Sequence, residues 1–383
     1  MPEEERPAKS KFRIIRIVAT LAIFALLIYI AFALISGRGL NLERISDFLF
    51  PAEQVEPVDE LHFNIGRGRV FTALDSSIVA AGSLGIQVID YGGTELLRES
   101  FPMGTPAVRS QNEYAIAFDI GGTEARVFNA AGIISSITKD GPIVSASIND
   151  SGWFTINSRE GEGFRGNATV YNSLGNRVVR VSLSTGYILS SILSADNEIL
   201  AVLNLTDYGS RITFYHGLNR PYPDGTFDLP DVLIIDIQFL ASGDILAVTT
   251  DSLILVDPHE FSGWEIYNFS DMRLGGYAVS DNFIALHLLD FGIGHRGNLI
   301  LIDHFGNPYG NLQTDRELIS MSLFEDSLHA MLGDGLVVLD RGFNIRLPDE
   351  ESPSAAGVSR IIALNNEATL VAGERFAIII NTP

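Results

Sequence analysis

A few short segments carry residue types able to do chemistry. Phe118-Asp119-Ile120-Gly121-Gly122-Thr123 has the make-up of a phosphate-binding hairpin. There, a carboxylate holds a metal and glycine amides face a phosphate. Such a site also needs further acidic-glycine motifs, and helices between its strands. Neither is visible, so the segment reads as a turn between two strands. Asp290-Phe291-Gly292 matches the magnesium-holding triplet of phosphoryl transfer. That chemistry needs a strand lysine and a catalytic Asp–Asn pair as well. The lysines are Lys9, Lys11 and Lys139, and none follows Lys139. This segment too reads as a loop.

Histidines stand at positions 62, 216, 259, 287, 295, 304 and 329, without an H-x-H or HExxH pairing. They do not spell a metal site, although a closed ring would bring distant ones together at its axis. The acidic turns Tyr222-Pro-Asp-Gly225 and Leu229-Pro-Asp231 lack the dense acidic spacing of a calcium loop. No Ser–His–Asp order stands out as a nucleophile constellation. No catalytic residue, metal or cofactor is assigned, and the chain is expected not to be an enzyme.

Composition sharpens these exclusions. The chain has 383 residues, 46% hydrophobic and 19% charged, with a net charge of −21. An acidic chain of this kind is not expected to bind nucleic acid, which calls for a basic face. With no cysteine, it has no thiolate chemistry, disulfide or Cys-ligated metal.

The positioning elements come next. Residues 17–36, IVATLAIFALLIYIAFALIS, hold no charge over a length that matches the hydrocarbon core of a bilayer. Arg6, Lys9, Lys11, Arg13 and Arg16 precede it, so the positive-inside rule puts residues 1–16 in the cytoplasm. Ala31-Phe32-Ala33 has the form of a signal-peptide cleavage site. The apolar run continues past it, which favours an uncleaved single-pass anchor in the cell membrane. Residues 37–59 read as a juxtamembrane linker with a short amphipathic helix ending before Pro51. Residues 60–383 then form the extracytoplasmic domain.

That domain is repetitive. An apolar strand ending in a small polar or acidic residue recurs at Asp90, Asn129, Asn172, His216, Asp257, Asp303, Asp340 and Asn381. Most of the marks lie about 40–45 residues apart, the period of a β-propeller with four strands per blade. The fold class is therefore all-β, an eight-bladed propeller of antiparallel blades. Seven blades are the alternative; a sandwich pair or β-solenoid is a more distant one. The second unit cuts into PAVRS, YAIAF, ARVFN and IISSI. The eighth supplies only VSRIIAL, ATLVAG and FAIII. The segment Glu60–Ile65, ELHFNI, is expected to complete it and close the ring.

GIQVIDYGG (85–93), YAIAFDIGG (114–122) with the following ARVFN, and ILSADNEILAV (192–202) resemble segments of a family of unknown function from Gram-positive bacteria. A basic N-terminus, one span, a linker with Phe50-Pro51 and propeller-like units come in the same order. The resemblance implies a membrane-anchored propeller and carries over no catalytic residue.

Three loops between second and third strands are long: 158–167, 205–211 and 289–298. They mix arginine, aromatic residues and glycine, the make-up of recognition surfaces. The candidate partner-binding residues are Arg159, Phe164 and Arg165, then Asp207, Tyr208 and Arg211, then Asp290, Phe291, His295 and Arg296. Ser210 is expected to be exposed in the second of these loops. The expected function is a binding or scaffold module for an envelope protein or a cell-wall polymer, with the bilayer contacted through residues 17–36. The alternatives are an envelope enzyme with its site in the funnel (a hydrolase, lyase or quinone-cofactor protein) and a signal-sensing ectodomain.

Overall fold

A computed structural model describes residues 60–159, 163–292, 294–346, 354–374 and 376–381. The expected cytoplasmic tail, membrane span and linker lie outside the described residues. No helix among those described is long and apolar enough to cross a membrane.

The strands form eight antiparallel sheets arranged as the blades of a propeller. In chain order the blades cover residues 70–100, 106–138, 143–183, 187–230, 234–268, 272–314, 318–345 and 358–381. The first six blades have four strands each. Blades 7 and 8 have three among the described residues. The strand division expected for the second and eighth units is the one observed. In blade 7, among the described residues, an isolated bridge, Leu339 to Ile345, follows Gly335–Leu339.

The recurring Asp or Asn has a local cause. It stands at the end of every third strand but that of blade 4, which ends in His216, and in most blades its side chain caps the hairpin to the fourth. Asp303 Oδ1 accepts the amides of Phe305 and Asn307, each at 2.9 Å. Asp340 Oδ1 accepts those of Gly342 and Asn344, each at 2.9 Å. Asn172 does the same for Leu174 and Asn176, and Asp257 for His259 and Glu260. These Asx turns supply acceptors that a two-residue turn would otherwise leave to water. The period read in the sequence is thus a repeat of turn chemistry.

Middle strands are mostly apolar and almost wholly buried because a neighbouring blade covers each face. Ser77–Gly82 is buried at every position, whereas the outermost Glu95–Ser100 alternates. Ala80, Ala117, Ala201, Ala247, Ala285, Ala330 and Ala372 are fully buried on second strands, where blades converge and larger side chains would not fit. The core is correspondingly divided. Seven of the eight apolar clusters each join two neighbouring blades, from blades 1 and 2 round to 7 and 8. The remaining cluster closes the circle. It packs Leu61, Phe63 and Ile65 with Phe71 and Ile78 of blade 1 and Leu370 and Ala377 of blade 8. Leu61 N–H donates to Ala377 O at 2.7 Å, beside the last strand. The N-terminal segment does close the ring, through this bond and its apolar side chains, but Glu60–Ile65 forms no strand and so does not supply the fourth strand expected of it.

The first strand of each blade is innermost: Val70–Leu74, Pro106–Gln111, Ile143–Ile148, Tyr187–Leu193, Ile234–Phe239, Met272–Val279, Leu318–Phe324 and Val358–Asn365. Neighbouring innermost strands touch, and hydroxyl groups stitch them together. Ser145 Oγ donates to Leu189 O at 2.8 Å, and Ser147 Oγ to Ser191 O at 2.7 Å. Ser320 and Ser322 accept the Ile361 and Ala363 amides at 3.1 and 3.0 Å. Small hydroxyl residues suit this position because they satisfy backbone groups across a narrow gap.

Candidate interaction face

The three candidate segments each join a second strand to a third, at one edge of blades 3, 4 and 6. Those of blades 3 and 6 are long loops, but 205–211 is not. Its strands pair up to Thr206 and Gly209 and leave a two-residue turn, Asp207-Tyr208, with Arg211 in the following strand. Their aromatic residues stand out from the surface: Phe164 is 45% exposed, Phe291 64% and Tyr208 82%. Their arginines are held by local partners. Arg165 Nη1 donates to the Tyr187 hydroxyl at 2.8 Å, and its guanidinium lies 5.1 Å from that ring's centre. Arg211 Nε meets Asp228 Oδ1 at 2.5 Å. Arg296 Nε meets Asp290 Oδ2 at 3.2 Å. A held arginine keeps its remaining donors oriented, which lowers the entropy lost on binding.

Each loop also contributes to a cavity. Asp207, Tyr208 and Arg211 wall one of about 250 Å³ with Thr185, Gly186 and Leu229. Arg296 stands at one of about 470 Å³ between blades 6 and 7. Arg159, exposed beside Gly141, lines a small one of about 70 Å³ with Lys139, Asn167 and Arg180. Burial, and then Arg180, push the Lys139 amine down to about 8. Its Nζ donates to Thr169 Oγ1 at 2.8 Å. His295 is exposed at the blade 6 loop.

The arrangement joins some candidates and separates others. The blade 3 loop reaches blade 4 through Arg165 and Tyr187. The blade 6 loop stands apart, beyond the tight turn between Ile245–Thr249 and Ser252–Asp257 of blade 5. Ser210 is a correction. It lies in the strand Gly209–His216, is 2% exposed, and its Oγ accepts the Ile234 amide at 2.8 Å.

The resemblances to phosphate chemistry resolve as structural contacts. Asp119 Oδ1 accepts the Thr105 amide at 2.7 Å, and Gly121 N–H donates to Ile143 O at 2.8 Å. The amides that would face a phosphate are thus tied to neighbouring loops. Asp224, in the Tyr222–Gly225 turn, accepts the His216 amide at 2.8 Å and pairs with Arg220. Among the described residues no group of three or more His, Asp or Glu gathers as a metal site. His216 and His259 do stack, 5.6 Å apart, but on third strands and hairpins rather than at the axis.

The axis holds charged groups that the sequence reading passed over. Arg109, Asp236, Tyr277 and Arg360 all stand on innermost strands. The available signal was a charge inside otherwise apolar segments: PAVRS, LIIDIQF and VSRIIAL.

Comparison with known proteins places the chain. A model of a family of unknown function, DUF5711, matches residues 54–338. The chain belongs to that family. No curated protein matches this DUF5711 member. Solved propellers are similar in fold. The C-terminal WD40 domain of Sif2 is 13% identical with a TM-score of 0.62, over 86% of this chain and 98% of that one. Sqt1 of Saccharomyces cerevisiae is 12% identical at 0.56, over 85% and 97%. BamB of Moraxella catarrhalis is 11% identical at 0.54, over 85% and 98%. At these identities the likeness is one of fold.

Proposed function

We propose that this propeller is a membrane-anchored, extracytoplasmic binding module that presents one rim to an envelope protein or a cell-wall polymer. The observation that carries the reading is the rim itself. Exposed Phe164, Tyr208 and Phe291 stand beside the oriented guanidinium groups of Arg165, Arg211 and Arg296. Aromatic and arginine side chains are the usual anchors of recognition surfaces. They recognise and hold, and are poor proton-transfer groups near neutral pH, so the proposed role is binding rather than catalysis. The anchor and its direction rest on the apolar run at 17–36 and the basic residues before it.

Two experiments test the proposal. For topology, the cysteine-free chain receives one thiol, at Asp207 or, separately, at Ser10. Intact cells then meet a membrane-impermeant maleimide. Labelling at Asp207→Cys and not at Ser10→Cys supports an outside-facing ring; the reverse pattern overturns it. For binding, the wild type and the Phe164→Ala/Arg165→Ala variant are cross-linked on intact cells. Loss of defined cross-linked species with unchanged thermal unfolding supports the rim. An unchanged cross-linking pattern, or an unfolded variant, removes this loop from the proposal.

A further inference from the structure

The side that blade 3 turns to blade 2 changes character towards its loop edge. Phe154, Ile156 and Ser158 alternate along the second strand, opposite Tyr171, Thr169 and Asn167 on the third. Alternate residues share one face of a sheet. Phe154, Ile156 and Tyr171 pack in the core cluster shared with blade 2. Ser158, Asn167 and Thr169 continue the same face as polar groups, each no more than 1% exposed. Polar side chains buried in this way cost stability unless hydrogen bonds meet them.

The bonds that meet them run in one direction. Lys139, in the link from blade 2 to blade 3, donates Nζ to Thr169 Oγ1 at 2.8 Å. Thr169 Oγ1 donates to Asn167 Oδ1 at 3.0 Å, and Ser158 Oγ to the same oxygen at 3.3 Å. The chain of donors ends on that oxygen. The Asn167 amide nitrogen is left without an acceptor among the described residues. Lys139 also lies 3.5 Å from the Tyr171 hydroxyl, and among the described residues no carboxylate pairs with it.

These groups wall a cavity of about 70 Å³, together with Asp140, Arg159 and Arg180. Arg180 stands opposite Thr169 on the outermost strand, and Arg159 is exposed at the loop edge. The link and the loop hold each other in place. Arg159 N–H donates to Pro142 O at 2.9 Å, and its carbonyl packs on Gly141, where a Cβ would collide with it. Three cations and one carboxylate therefore line this cavity, in a chain whose net charge is −21. Burial, and then Arg180, hold the Lys139 amine below its usual range. An anion beside it would favour the charged form. A water takes up about 30 Å³ in the liquid. The cavity thus has room for one tetrahedral oxyanion and not for a sugar ring.

We propose that this cavity between blades 2 and 3 binds a single phosphate group, held by Lys139, Arg159 and the Asn167 amide. Ammonium, guanidinium and amide donors converging on one small space suit an anion with oxygens on all sides. The fixed frame lowers the entropy lost on binding. The site stands apart from the rim reading, because Phe164 and Arg165 are not among its lining residues.

Two measurements on the purified full chain test the proposal, with sodium chloride holding the ionic strength constant. The first is thermal unfolding in rising inorganic phosphate or dimethyl phosphate. A ligand that binds only the folded state raises the midpoint in a saturable way. The second is acetylation by an uncharged succinimidyl ester, read at each lysine by mass spectrometry. Saturating anion should slow the reaction of Lys139 and leave that of Lys9 and Lys11 unchanged. Inorganic phosphate alone acting assigns the free ion; dimethyl phosphate acting, alone or as well, assigns a phosphodiester. Arg159→Gln is expected to weaken the response about ten-fold, the scale of a charged hydrogen bond. Lys139→Met should abolish the rise in midpoint; should it not fold, Arg159→Gln carries the test, since Arg159 is exposed. No saturable rise with either anion, a rise without protection of Lys139, or an undiminished response in Arg159→Gln overturns the proposal.

Discussion

His329 of blade 7 and Thr369 of blade 8 are joined directly, ring Nδ1 to Oγ1, across the interface of the two blades. Both are fully buried. Burial, and then Arg346, push His329 down to about 4. Burial, and then Arg273 and His295, bring His287 to about 4 as well.

These two histidines make the fold acid-labile. Their folded values lie below the ordinary 6.5, so protons bind the unfolded chain first. Stability is unaffected above about pH 6.5 and falls from there to about pH 4. Each contributes at most about 3 kcal/mol of loss across that window. Asp340 is held below the usual carboxylate range by Asn344 and its turn amides. Asp303 is held there too, its Asn307 and amide hydrogen bonds outweighing burial. Both add loss in the same direction at lower pH. Urea unfolding at pH 7.5, 6, 5 and 4 checks this; a midpoint that stays constant down to pH 5 contradicts it.

His287→Leu should stabilise the protein. Neither ring nitrogen of His287 has a partner among the described residues, and the side chain is 2% exposed. Replacing it by an apolar side chain of similar size removes a desolvated polar group, a gain of about 1–3 kcal/mol. The variant's stability should also fall less steeply between pH 6.5 and 4. Denaturant curves at pH 7.5 and 5 provide the measurement, and a less stable variant at both pH values refutes the assignment.

The Asx caps should be worth something individually and add when combined. Asp303→Ala removes the acceptor for two amides and for the Asn307 side chain. Asp340→Ala does the same for Gly342 and Asn344. Each hairpin is exposed, so a loss of about 1 kcal/mol is expected from each. The double variant should lose the sum to within about 0.5 kcal/mol, because the two turns share no partner. A coupling above about 1 kcal/mol would show the blades communicating through these hairpins.

Ring closure depends on the segment before blade 1. Leu61→Ala should cost about 2–5 kcal/mol, the range for a buried leucine. Hydrogen exchange should report the loss first in Ala368–Gly373 and Ala377–Asn381, the strands nearest the seam. Uniform acceleration over all blades would mean the ring opens as one unit.

Much of this architecture was legible in the sequence because its turn chemistry repeats. The marks from Asp90 to Asn381 report third-strand ends, and third-strand ends count blades. Ser210 was misplaced because strand pairing continues to Leu205–Ser210 and Thr206–Gly209, leaving a two-residue turn where glycine and polar content suggested a loop over 205–211. The channel charges were missed for a different reason. A bulge adds one residue and redirects the side chains beyond it. Alternation within VSRIIAL or LIIDIQF therefore does not reveal where Arg360 and Asp236 stand.

The seam at Leu61 and Ala377 has a mechanical meaning. The chain enters the ring at the point where the ring is fastened. Tension carried along the polypeptide before Glu60 would arrive first at that fastening. It would load the Leu61–Ala377 backbone bond first, and then the Leu61, Phe63 and Ile65 side chains. The weakest direction of pull is therefore the one that lifts this segment off blade 8, and the ring would yield there by unzipping.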